Sequence, residues 1–107
     1  MILTTTDYLQ NTTVTEYLGV VTAEVVYGSN ALRDFFAGIR DFVGGRTGSY
    51  EEVFLKGHQE ALKELERRAK KLNADGVIGI AVNTGTIDLD DRGALLLITA
   101  TGTAVKF

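Results

Sequence analysis

GVIGIAVNTGTIDLDDRGALLLITATGTAVKF, residues 76–107, decides the architecture. Gly76 to Leu89 is rich in valine, isoleucine and threonine, and Ala94 to Phe107 in leucine and threonine. Asp90, Asp91, Arg92 and Gly93 between them form a turn cluster, so the whole reads as a hairpin. Each strand is predicted to run for about eleven residues, roughly 37 Å at ~3.4 Å per residue. Along the second, Ala100, Gly102 and Ala104 share one face, where small side chains let another element approach closely.

Upstream, apolar residues recur at helical spacing from about Tyr50 to Leu72: Phe54, Leu55, His58, Ala61, Leu62, Leu65, Ala69 and Leu72 lie on one arc. Glu64 with Arg68 and Glu66 with Lys70 stand in the favourable i,i+4 order on the outer face. Ser49 and Glu52 have capping-box spacing, which predicts a helix start there. Asn73 is a left-handed C-cap in expectation, after a basic last turn that suits the helix dipole.

Gly44-Gly45-Arg46-Thr47-Gly48 breaks the chain before that helix. LRDFFAGIRDFVGG, residues 32–45, precedes it and repeats the triplet Arg-Asp-Phe one heptad apart. Leu32, Phe35, Phe36, Ile39, Phe42 and Val43 fall on one arc, so this segment also reads as a helix. A heptad is close to two helical turns, so Arg33 with Arg40 and Asp34 with Asp41 form parallel charged stripes beside the apolar arc. Val14 to Tyr27 reads as a strand with a bulge or bend at Gly19, and Gly28-Ser29-Asn30 as the turn after it. The element pattern is α+β, a strand followed by two helices and a closing hairpin, and all of it fits one domain over residues 1–107.

Composition narrows the function classes. A net charge of −3 and a pI near 5.0 argue against a general nucleic-acid binder. No window holds the roughly 18 apolar residues that a membrane span needs. The chain has no cysteine, hence no disulfide, thiolate nucleophile or thiolate metal site. A cytoplasmic setting is the expectation. No serine–histidine–acid arrangement or glutamate–histidine metal signature occurs, so no catalytic residue is assigned and no enzyme is expected.

Two places could bind something. In Gly44, Gly45, Arg46, Thr47 and Ser49, glycine backbone N–H groups, a guanidinium and a helix start could cradle an anion. A helix-to-helix connector needs glycines anyway, and the stretch is no Walker loop because no lysine follows Gly48. His58, the single histidine, has no carboxylate three or four residues away. It reads as an interior or interface histidine that could ligate a metal ion only if symmetry gathered several copies. The acidic tip from Asp88 to Gly93 fails as an EF-hand, since Arg92 takes a ligand position and Thr99 replaces the final glutamate.

Four stretches carry a resemblance: EYLGVVTAE (16–24), RDFFAGIRDFVGGRTGSYE (33–51), LNADGVIGI (72–80) and TATGTAVK (99–106). Together they resemble the YbjQ family, small bacterial and archaeal proteins described as "putative heavy-metal-binding". The resemblance spans nearly the whole chain. It implies a two-layer subunit, with an antiparallel sheet packed against helices, assembled into a ring, usually a homopentamer; charge and hydropathy, as above, predict no nucleic-acid or membrane partner. In such a ring Arg33, Asp34, Arg40 and Asp41 would pair at subunit boundaries, and the small-residue strand face would serve assembly. The chain departs from relatives that carry cysteine where it has Leu18 and arginine where it has His58. Both departures weaken a heavy-metal role, because soft metals want thiolates and borderline metals several imidazoles. Three readings stay open: an oligomeric binding module with a metal ion or small anion between subunits, an assembly module without ligand, and an enzyme completed between subunits.

Overall fold

The computed structural model describes residues 1–28, 46–88 and 94–107, without the side chains of 46–50, 88 and 94. The helix expected over 32–43, with Arg33, Asp34, Arg40 and Asp41, lies outside the described residues, as does the hairpin turn. The elements are β1 (Ile2–Leu3), β2 (Glu16–Tyr27), α1 (Arg46–Lys71), β3 (Gly76–Asp88) and β4 (Ala94–Lys106). They form one four-stranded sheet in the order β1-β3-β4-β2, with α1 packed on it.

β4 is antiparallel to β3, as the hairpin reading requires, and also to β2. The sheet is nevertheless mixed, because β1 runs parallel to β3, pairing Ile2 with Gly76 and Leu3 with Val77. The expectation of a purely antiparallel sheet is corrected here. Two residues are too few to display a strand period, and their pairing is anchored by backbone bonds around Thr4 and Thr6. Thr4 N donates to Val77 O at 3.0 Å, Gly79 N to Thr6 O at 2.7 Å and Ile80 N to Thr4 O at 3.1 Å. These bonds wrap the N-terminal segment around a bulge between Ile78 and Ala81, where Gly79 takes φ +62°.

The bulge expected at Gly19 is present: the β2–β4 register slips between Tyr17 and Gly19, and Gly19 has φ +111°. α1 ends as expected. Asn73 has φ +63°, its N–H bonds Lys70 O at 3.0 Å, and Ala74 N bonds Ala69 O at 3.2 Å. That pair of bonds is a Schellman motif.

The helix rests on the sheet through Val53, Gly57, Ala61, Leu65 and Ala69, four residues apart and all buried. Val21, Ala23, Val77, Ile80, Leu96, Ile98, Ala100 and Ala104 oppose them. The small-residue face of β4 is therefore used within the subunit, which corrects its assignment to assembly. Ala100 and Ala104 are fully buried in the core that α1 covers, and Gly102 makes room for β3. A Cβ at Gly102 would stand 2.5 Å from Val77 Cγ1 and 3.2 Å from Ile78 O.

Long strands make a long molecule. Its extents are 49 × 27 × 19 Å and its radius of gyration is 16.7 Å, against ~13 Å for a compact domain of about 100 residues. No described helix is long and apolar enough to cross a membrane.

Candidate functional site

The residues expected to form an anion loop are divided by the start of α1. Gly44 and Gly45 lie outside the described residues, while Arg46, Thr47 and Ser49 belong to the first turn of the helix. The helix starts three residues before the expected cap at Ser49, so Glu51 and Glu52 are not in its first turn. One glycine at position 48 costs about 1 kcal/mol relative to alanine, too little by itself to end a helix of 26 residues. The first four backbone N–H groups of α1, those of residues 46–49, have no partner within the helix.

His58 stands further along the helix, where α1 lies close against the sheet. Gly57 permits that approach: a Cβ there would lie 2.0 Å from Ile98 Cδ1 and 3.3 Å from Tyr27 Cε2. Polar contacts hold the helix on either side of this point. His58 Nε2 shares a hydrogen bond with Thr84 Oγ1 of β3 at 3.3 Å. Tyr27 of β2 donates its hydroxyl to Glu60 Oε2 at 3.0 Å. Burial, reinforced by the Glu60 carboxylate, pushes the Tyr27 hydroxyl up to about 12.

A third polar cluster lies on the flank of α1. Glu64 accepts from Arg67 and, at 3.0 Å, from Arg68 Nε. Arg68 also donates through Nη1 to Thr22 O at 2.6 Å and through Nη2 to Glu24 Oε1 at 3.0 Å. The Glu64–Arg68 and Glu66–Lys70 ion pairs are those the helical spacing predicts. The links to β2 escape sequence reasoning, because Glu24 and Arg68 are 44 positions apart. Hydrogen bonds from Arg67 and then Arg68 hold the Glu64 carboxyl down to about 2.

Among the described residues no three His, Asp or Glu side chains gather where a metal ion could sit. The donor set points the same way: the chain has no cysteine, a single histidine bonded to a threonine, and one methionine at position 1. Leu18 packs half-buried against the apolar core. These residues do not fit a soft heavy metal within one subunit.

The sequence profile of the YbjQ family, described as "Putative heavy-metal-binding", matches residues 1–107. The chain belongs to the YbjQ family. It is 72% identical over 105 residues to a UPF0145 protein of Synechocystis sp., covering 98% of this chain and 97% of the relative. A UPF0145 protein of Trichodesmium erythraeum is 69% identical over 106 residues, covering 99% and 98%. A crystal structure from Pediococcus pentosaceus, a protein of unknown function in the DUF74 family, aligns with a TM-score of 0.68. It covers 100% of this YbjQ-family chain and 97% of its own, at 21% identity, and supports the fold alone.

Proposed function

We propose that this YbjQ-family chain is a non-enzymatic binding module that works as a ring, a homopentamer, with a small anion or a metal ion held between subunits. The observation that carries it is an apolar patch on the sheet face away from α1. Leu96 and Ile98 face the helix, so Leu95 and Leu97 face away from it, paired with Ile87 and Val26. Val26 is 54% exposed and Ile87 48%. Contiguous apolar surface at one end of an elongated subunit is what a neighbouring subunit would cover.

In that ring Arg33, Asp34, Arg40 and Asp41 pair at subunit boundaries. The anion sits at Gly44, Gly45 and the first turn of α1, with Arg46, Thr47 and Ser49. A metal ion would need several copies of His58 brought together by symmetry, and the donor set makes the anion the better reading. Native mass spectrometry tests both parts, with an expected mass several times the 11.6 kDa of one chain. A clean monomer overturns the proposal. Asp41→Ala should loosen assembly, whereas Arg46→Ala should leave it intact and abolish any rise in melting temperature with phosphate. Calorimetric titration with zinc should find no site tighter than micromolar; a tight site that His58→Ala removes restores the metal reading.

The second reading is an assembly module without ligand, favoured by the absence of a converging donor set among the described residues. A ring that retains nothing and gains no stability from phosphate would establish it.

A further inference from the structure

The two long edges of the sheet are finished differently. On the β3 side, residues 2–6 pair with the first part of the strand. On the β2 side no strand lies outside Glu16–Tyr27 among the described residues. Thr22 O, which Arg68 contacts, points away from β4, and in an antiparallel strand the outward-pointing residues alternate. Val20, Thr22, Glu24 and Val26 therefore present their N–H and C=O groups to the open edge. GVVTAEVVY, residues 19–27, has high β-propensity, one charge and no proline, so its edge is a template for strand addition.

Arg68 sits across the middle of that edge. One guanidinium nitrogen takes the Thr22 carbonyl at 2.6 Å and another the Glu24 carboxylate at 3.0 Å. The third, Nε, is tied back to Glu64 on the helix at 3.0 Å. A planar fork fastened to two acceptors on β2 and one on α1 is well placed to exclude an incoming backbone.

We propose that Arg68 is an edge lock: it denies the middle of β2 to a further strand, and the strand it excludes is the β2 of a second copy of this chain. The segment suits itself as a partner. Antiparallel pairing centred on Thr22 would set threonine against threonine and each Glu24 against Val20, with no like charges opposed. The inference holds with or without a ligand between subunits.

The chain has no cysteine, so Thr22→Cys provides a single reporter. A β2–β2 pair centred there would bring the two Cα atoms to about 5.5 Å, within disulfide reach. With Arg68 in place, oxidation should leave the chains unlinked on a non-reducing gel. With Arg68→Ala added, cross-linking should become several-fold faster. Should Arg68→Ala fail to fold by circular dichroism, Arg68→Lys is read in its place; it keeps the charge but its donors sit on one nitrogen and cannot span the spread of a guanidinium, so it should also cross-link faster. Asn83→Cys, on the exposed face of β3, controls for random collision. Equal cross-linking with and without the lock in a folded variant overturns the proposal, as does an equal rise at Asn83.

Discussion

The two halves of α1 rest on the same sheet by different means. Over Ala61, Leu65 and Ala69 the covered contact is apolar and these three residues are completely buried, with Arg68 reaching Thr22 and Glu24 of β2 only along its rim. The chain closes that end with the Asn73 cap, Lys106 Nζ on Asn73 O at 3.0 Å and Phe107 N on Asp75 Oδ2 at 2.9 Å. Around Gly57 the helix instead touches the sheet at close range and is held by Tyr27–Glu60 and His58–Thr84. Just before it Phe54 and Leu55 are exposed, as Val26 and Ile87 are on the sheet. The first end keeps Leu72, Ile2 and Phe107 partly exposed, at 43, 43 and 42%, but around a closed, finished core. The other is arranged like one side of a contact.

The comparison breaks first at Leu65. Truncating a fully buried leucine in a core that cannot collapse costs about 2–5 kcal/mol, so Leu65→Ala should give the largest loss of stability in urea unfolding. A loss below ~1 kcal/mol would mean that the finished end is not the core. Gly57→Ala probes the other end. Alanine gains up to about 1 kcal/mol of helix propensity, but a Cβ 2.0 Å from the buried Ile98 Cδ1 costs about 1–3 by overpacking. The expected net change is a loss of about 1 kcal/mol. A gain would show that the close approach relaxes freely.

Most of the elements are legible in the sequence, but the division between the two ends is not. Strand β2, helix α1, the hairpin strands, the Gly19 bulge and the Asn73 cap each carry a local signal: periodicity, a glycine, or an asparagine that tolerates positive φ. β1 carries none, since a two-residue strand is defined only by the strand it joins. The Ala100–Gly102–Ala104 face announced a close neighbour, but spacing cannot tell a chain's own helix from another subunit. Of the candidate site residues, His58 has the pattern of an interior or interface histidine and is half-exposed at the clasp with Thr84. Arg68 was visible only as the partner of Glu64, because contact with a strand edge leaves no trace in helical spacing.

Tyr27 sharpens the comparison through pH. Its hydroxyl is raised from 10.0 to about 12, so the folded protein holds this proton more tightly than the unfolded chain does. The stabilisation is complete below pH 10.0 and is lost as pH rises through about 12. Tyr27→Phe should cost about 1 kcal/mol at neutral pH, the net value of one hydrogen bond. Its stability should then fall less steeply than the parent's over that alkaline range. If both proteins lose stability in parallel, neither burial nor Glu60 holds the Tyr27 proton in the folded state, and this clasp is no part of what fastens the helix.

The smallest effect belongs to Glu64, on the rim of the finished end. Its carboxyl is lowered from 4.5 to about 2 by Arg67 and Arg68, so its contribution is present above pH 4.5 and disappears as pH falls through about 2. The cluster faces water, where salt screens it and side-chain entropy opposes it. Melting temperatures of the parent and Glu64→Gln should therefore differ slightly at neutral pH in dilute buffer. The difference should narrow on acidification through that window, because the parent then loses what the variant already lacks, and molar salt should erase it. Arg68 keeps Thr22 O and Glu24 in the variant, so the β2 edge should stay closed even when this helix pair is gone. A Glu64→Gln loss as large as that of Leu65→Ala, persisting in salt, would make the finished end electrostatic rather than apolar and would undo the contrast between the two halves of the helix.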